Sequence, residues 1–124
     1  MLLGESLEDY LECIAMLSEN EPDGRVRSVD IARHLHVSKP SVNKAMNVLK
    51  EKGLIRQEAY SGIELTKAGK EMAAMILNRH NTIHYFLRNV LGVSEENAEH
   101  DACKIEHVIS DEVFDAIKKH FLKM

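Results

Sequence analysis

Aromatic side chains make up only 5% of this 124-residue chain, proline appears only as Pro22 and Pro40, and cysteine only as Cys13 and Cys103. With apolar residues at 44%, a core so poor in aromatics has to be aliphatic, which favours packed helices over a sandwich or barrel. No apolar run approaches the roughly eighteen residues that a membrane helix needs, and no signal peptide is expected. The expectation is a cytoplasmic protein with no membrane partner. In that reducing compartment two cysteines read as a core residue, a ligand or a redox-sensitive thiol rather than as a disulfide. The length suits one compact core or two small ones packed together.

What the chain does have is charge, unevenly spread. The net charge is −4, yet residues 25–70 hold ten Lys and Arg against four acids, a local +6 that leaves −10 for the remainder. A basic block in an acidic protein suggests one module for a polyanion and another for a different task, such as holding cations.

The hydrophobic pattern predicts a helix over 6–18, capped by Ser6, with Leu7, Tyr10, Leu11, Ile14 and Leu17 apolar. A loop follows around Pro22 and Asp23-Gly24, then a helix over Ser28–Leu35 capped by its serine. Ser38 caps a third helix with Pro40 in its first turn, a stripe of Val42, Ala45, Met46 and Leu49, and Gly53 at its end. Between Leu54 and Thr66 the period changes to that of strand, turn and strand, the turn lying at Tyr60 and Ser61-Gly62. Two helices joined by a short turn, the second one basic, followed by a hairpin, read as a winged helix-turn-helix. Outside the stripe of the third helix stand Ser38, Lys39, Ser41, Asn43, Lys44 and Asn47. Hydroxyls and Lys suit phosphates, Asn can read adenine and Lys can reach guanine acceptors, so double-stranded DNA is the expected partner.

Thr66 opens a fourth helix that is expected to run to about Leu91 and stop at Gly92. Ser94 caps a fifth. Ser110-Asp111-Glu112 starts a sixth that ends near Lys123, with Phe114, Ile117 and Phe121 apolar. The fold class is therefore mainly α: a winged helix-turn-helix domain over 1–72 and a helical domain over 73–124.

Metal-ligand chemistry concentrates in three places. Cys103, Glu106 and His107 stand at i, i+3 and i+4, within roughly 100° of one helix face. His80 and His84, at i and i+4, lie about 40° apart on another. Asp9 and Glu12 are neighbours on the first helix, with Cys13 beside them. Each alone is compatible with an ordinary solvated surface.

In this order the parts resemble the diphtheria toxin repressor and manganese transport regulator family of metal-activated, homodimeric transcriptional repressors. The likeness runs through Glu8-Asp9-Tyr10-Leu11-Glu12, Val37-Ser38-Lys39-Pro40-Ser41-Val42, Leu65-Thr66-Lys67-Ala68-Gly69, Arg79-His80 and the stretch from Cys103 to Asp111. It implies that Asp9, Glu12, His80, Cys103, Glu106 and His107 are metal ligands, and that Ser38, Pro40 and Lys44 lie nearest the bases. The family's iron branch resembles this chain at Cys103 but has Met where Asp9 stands, so the donor set is a hybrid of the two branches. That branch's second site, built from His, Glu and His, would here fall on His80, His84 and either Glu99 or its neighbour His100. The expected form is short, without the small barrel domain of the iron branch.

Hard oxygen donors at Asp9, Glu12 and Glu106 suit Mn²⁺, whereas the Cys103 thiolate suits Fe²⁺ or a later metal. Fe²⁺ or Mn²⁺ is the expected corepressor, with Zn²⁺ and Co²⁺ binding in vitro. No small organic substrate is expected. The rivals are a regulator that senses oxidation through Cys103 or Cys13, a zinc-dependent hydrolase and a metal buffer.

Overall fold

The structure of the chain, a computed structural model, describes residues 3–58 and 62–122, leaving aside the side chains of 121 and 122. The tip of the expected hairpin turn, including Tyr60 and Ser61, lies outside the described residues, as do the Phe121 side chain and Lys123. Residues up to Ala74 and from Met75 onward form two compact units.

The first unit begins with α1 (Glu5–Ser18), α2 (Ser28–Leu35) and α3 (Lys39–Glu51). Their stripes meet in an aliphatic core of Leu11, Ile14, Ile31, Val42, Met46 and Leu49, all fully buried. Ser38 caps α3 as expected, accepting a hydrogen bond from the Ser41 amide at 3.2 Å, with Pro40 in the first turn. Ser6 and Ser28 do not act as caps: α1 starts one residue earlier, behind Gly4, and α2 starts at Ser28 itself, behind Arg27. Neither N-cap has a side-chain hydrogen bond to the helix. A serine before an apolar stripe marks a helix start to within a residue or two, and the packing of Leu11 and Ile31 sets the actual frame. The turn from α2 to α3 is made by His36, which closes α2 in the left-handed region at φ 57° while the Val37 amide bonds back to the Ala32 carbonyl.

After α3, β1 (Ile55–Glu58) pairs antiparallel with β2 (Gly62–Leu65) in the register Ile55 to Leu65 and Gln57 to Ile63. Ile55, Ile63 and Leu65 point into the core, as the two-residue strand period requires. Val26 adds a bridge on the far edge, exchanging two 2.8 Å backbone hydrogen bonds with Ile63. This third strand position is one residue long and has no period to betray it.

The joint after the hairpin explains the Leu65-Thr66-Lys67-Ala68-Gly69 stretch. Thr66 Oγ1 donates to the Gly53 carbonyl at 2.6 Å and accepts the Gly69 amide at 3.1 Å, while the Thr66 amide donates to the Leu54 carbonyl. The start of α4 (Lys67–Tyr85) is thus pressed against the chain leaving α3. A Cβ on Gly69 would stand 1.9 Å from the Leu54 carbonyl oxygen, so only glycine allows this approach.

In the second unit, α4 does not continue as one α-helix to Leu91. It gives way at Phe86 to a π-helical turn, Phe86–Val90, and then to Gly92 at φ 73°. The apolar pattern cannot distinguish a wider turn from an α-turn, so this was not legible in the sequence. Ser94 caps α5 (Glu95–Val108) by accepting the Asn97 amide at 3.3 Å, and α6 (Asp111–Leu122) follows. Ile83, Ala102 and Phe114 form the core that joins the three helices, flanked by Leu87, Ile105 and Ile109.

Replacing Gly69 by alanine should therefore destabilise the first unit by about 1–3 kcal/mol, the cost of forcing an extra methyl against immovable backbone. Urea unfolding of G69A against wild type measures it. Equal midpoints would show that the α4 start is not held this closely.

Candidate metal centre and nucleic-acid interface

α5 carries Glu95, Glu99, Cys103 and Glu106 at i, i+4, i+8 and i+11, a single stripe along one face. α4 offers His80 and His84 one turn apart, their rings parallel within 8° and 6.2 Å between centroids. Packing through Ile83 and Ala102 sets these two stripes against each other. His80 Nδ1 lies 3.1 Å from Glu106 Oε2 and its Nε2 3.3 Å from Glu99 Oε2, and Cys103 Sγ is 3.9 Å from His80 Nδ1.

One donor atom each from His80, Cys103 and Glu106 falls within 4.8 Å of the others. Ligands that stand about 2.0–2.3 Å from a common ion are themselves about 3–4 Å apart. An imidazole, a thiol and a carboxylate at this spacing therefore fit one transition-metal ion. Glu106 is 1% exposed, and its other oxygen, Oε1, lies 3.2 Å from Nε2 of His107, whose side chain is equally buried. A carboxylate removed from water needs compensating positive charge, and two imidazoles surround this one.

A second group lies one turn along. His84 Nε2 is 3.0 Å from Glu95 Oε1 and 3.7 Å from Glu99 Oε2, and the three donors lie within 4.8 Å of one another. Here both carboxylates are more than half exposed, and Arg88 Nε already sits 3.1 Å from Glu95 Oε2. Of the two neighbours on α5, Glu99 faces the histidines. His100 points to solvent, 72% exposed, with its Nδ1 3.1 Å from Asp101. Glu95 was missed by sequence reasoning, although its place four residues before Glu99 and eight before Cys103 would have found it.

Asp9 and Glu12 stand half-buried on α1 in the first unit, next to the fully buried Glu8, which the sequence did not single out. Cys13 is buried and its thiol is pushed up to about 11 by that burial, so at neutral pH it is a protonated core residue and not a reactive thiolate.

On α3 the seven residues Ser38, Lys39, Pro40, Ser41, Asn43, Lys44 and Asn47 are all exposed, while Val42, Ala45, Met46 and Leu49 are buried. The Ser38 hydroxyl is committed to the cap and donates to Ser41 Oγ at 2.9 Å, which leaves the Ser41 hydroxyl proton for an outside acceptor. The helix therefore shows solvent a face of one hydroxyl donor, two amides and two ammonium groups, a surface suited to phosphates and base edges.

Residues 2–63 match the family of the iron dependent repressor N-terminal DNA binding domain, and residues 66–123 that of the iron dependent repressor metal binding and dimerisation domain. An uncharacterized HTH-type transcriptional regulator of Methanocaldococcus jannaschii is 36% identical over 94% of this chain and 92% of its own length. The transcriptional regulator MntR of Escherichia coli is 40% identical over 92% of this chain and 72% of its own. Among solved structures, that of the manganese regulator SloR superposes with a TM-score of 0.78 at 30% identity, covering 98% of this chain. The chain spans about half, 54%, of the length of that solved protein.

The side chain of His80 is held protonated up to about pH 9, chiefly by its hydrogen bond to Glu106. Because this lies above the ordinary value near 6.5, the pair stabilises the metal-free protein fully below pH 6.5, and the contribution fades as pH rises through about 9. Metal must displace that proton, so affinity should fall as pH falls. Urea midpoints of chelator-treated protein between pH 6 and 9.5 should drop more steeply for wild type than for His80→Gln. Parallel profiles would contradict the pairing.

Proposed function

Because this chain belongs to the iron dependent repressor family, and is thus a metal-dependent transcriptional repressor and not an enzyme, we propose that it binds operator DNA as a homodimer when Fe²⁺ or Mn²⁺ is bound, and so controls metal homeostasis. The observation that carries the metal dependence is the convergence of His80, Cys103 and Glu106 within 4.8 Å. To these the proposed ligand set adds His107, which shares Glu106, and, on the family likeness, Asp9 and Glu12 of α1. His84 and Glu99, joined by Glu95, form the proposed second site. Support for manganese comes from the oxygen donors and from the manganese regulator among the relatives. Support for iron comes from the thiolate and from the family's name. The same donors suit Zn²⁺ and Co²⁺ in vitro.

A bound divalent ion would supply the positive charge that the His80 proton supplies in its absence. The residues of the chain do the rest. Cys103 and His80 give up protons, the Glu106 carboxylate lies between two imidazoles, and α5 is held to α4. The metal can favour the DNA-competent state only by its differential affinity for it.

Dimerisation is supported by the family of residues 66–123 and by large apolar side chains left in solvent on the second unit: Met75, Leu77, Tyr85, Leu91 and Val108, each more than half exposed. A two-fold pair would bring two copies of α3 to a palindromic operator in successive major grooves. Ser38, Pro40 and Lys44 are proposed to lie nearest the bases, Ser41, Asn43 and Asn47 to join them in the readout, and Lys39 and Lys44 to meet phosphates as well. The proposed division is 1–72 for DNA and 73–124 for metal and dimer. No described helix is long and apolar enough to cross a membrane, and we place the protein in the cytoplasm.

DNA recovered by selection from genomic fragments should bind wild-type protein far more tightly with Mn²⁺ or Fe²⁺ than with chelator, and Glu106→Ala should abolish the difference. Equal affinity in all four conditions would sink the proposal. Peroxide sensitivity of DNA binding that persists in chelator would favour oxidation sensing through Cys103 instead. Lys39→Ala and Lys44→Ala should each weaken binding across sequences and reduce the salt slope by about one unit. An unchanged slope would remove them from the phosphate contacts.

A further inference from the structure

α5 ends without the usual means of closing a helix. The residues after its last turn, Val108-Ile109-Ser110, include no glycine, and Ile109 leaves the helix in extended conformation at ψ 151°. The last four carbonyls of a helix have no partner within it. Two of these four are met here by Arg79, which comes from α4 rather than from the helix itself. Its Nε donates to the Glu106 carbonyl at 2.9 Å and its Nη2 to the Ile109 carbonyl at 2.6 Å, while Nη1 meets Asp111 Oδ1, in the first turn of α6, at 3.0 Å. The guanidinium lies over the Phe114 ring at 4.8 Å, and the residue is 5% exposed. A buried cation at the negative end of a helix is favoured by the helix dipole as well as by its hydrogen bonds.

Arg79 immediately precedes His80. Two adjacent residues of α4 therefore hold the same residue of α5 from opposite ends: Arg79 binds the backbone oxygen of Glu106, and His80 binds its carboxylate at 3.1 Å. With both ends held, Glu106 has little freedom to turn away from His80, and Cys103, three residues back on the same face, is carried with it. We propose that Arg79 is a positioning residue of the metal centre: it touches no metal itself, but fixes the register of α5 so that Cys103 and Glu106 are preset against His80. Only the planar five-donor guanidinium reaches three acceptors in different directions; the lysine ammonium at the same place satisfies fewer of them. Partners that orient ligands in this way are worth about 10–100-fold in metal affinity when lost.

This inference rests on the metal-centre reading above, and Co²⁺ separates the two. Titrated anaerobically into the full-length protein, Co²⁺ should give a thiolate-to-metal absorption band in wild type. Arg79→Lys should bind about tenfold or more weakly, with the band shifted or reduced, because Cys103 is no longer held in place. Asp111→Asn, which alters only the solvent-facing arm of the fan, should show a smaller loss in the same direction. Ile117→Ala, on α6 and outside the hydrogen bonds of the fan, controls for loss of stability alone: matched to Arg79→Lys by urea midpoint, it should keep the wild-type band and affinity. No band in wild type would overturn the metal-centre reading itself. A normal wild-type band with unchanged affinity and spectrum in Arg79→Lys, or an equal loss in Ile117→Ala, would overturn the positioning role alone.

Discussion

Glu106 is a carboxylate almost wholly removed from water, near the end of a helix that no glycine closes. Left alone, that arrangement would be expensive, since a buried charge must be paired and hydrogen-bonded to be tolerated. The second unit offsets the cost from three sides. His80 and His107 face the two carboxylate oxygens, and Arg79 takes the backbone carbonyl. The same arrangement explains why His80 carries a proton near neutral pH. Metal chemistry here exchanges one positive charge for another at a site that already demands one.

The first unit buries one carboxylate of its own, Glu8, beside Asp9 and Glu12 on α1. Its core is aliphatic, its hairpin is pinned by Ile55, Ile63 and Leu65, and its one severe constraint is the contact of Gly69 with the Leu54 carbonyl. A rigid scaffold of this kind is what a DNA-reading helix requires, because phosphate and base contacts demand a fixed register. The exposed polar face of α3 is thus backed by buried, closely packed side chains.

Much of this was legible in the sequence. The helix-turn-helix followed from Ser38, Pro40 and the stripe from Val42 to Leu49, and the grouping of His80 with Cys103 and Glu106 followed from helical spacing together with the family likeness. The start of α1 was misread by a residue, and α2 was placed correctly at Ser28 but without the serine cap expected of it, because capping propensity is weaker than the packing of the stripe behind it. The π-turn at Phe86 and the bridge at Val26 were invisible, since neither alters hydrophobic periodicity. The choice between Glu99 and His100 needed the actual facing of α4 and α5: the two residues are adjacent, and only the helix rotation decides which one meets the histidines. Arg79 was noted as part of a motif, but its role depends on the unglycined end of a helix that lies almost thirty residues away.

X-ray absorption of the protein loaded with one equivalent of Co²⁺ under anaerobic conditions tests the centre most directly. A site built on His80, Cys103 and Glu106 predicts nitrogen and oxygen scatterers with one sulfur at about 2.3 Å, and loss of that sulfur shell in Cys103→Ser. A first shell of oxygen and nitrogen alone in the wild-type protein would contradict it.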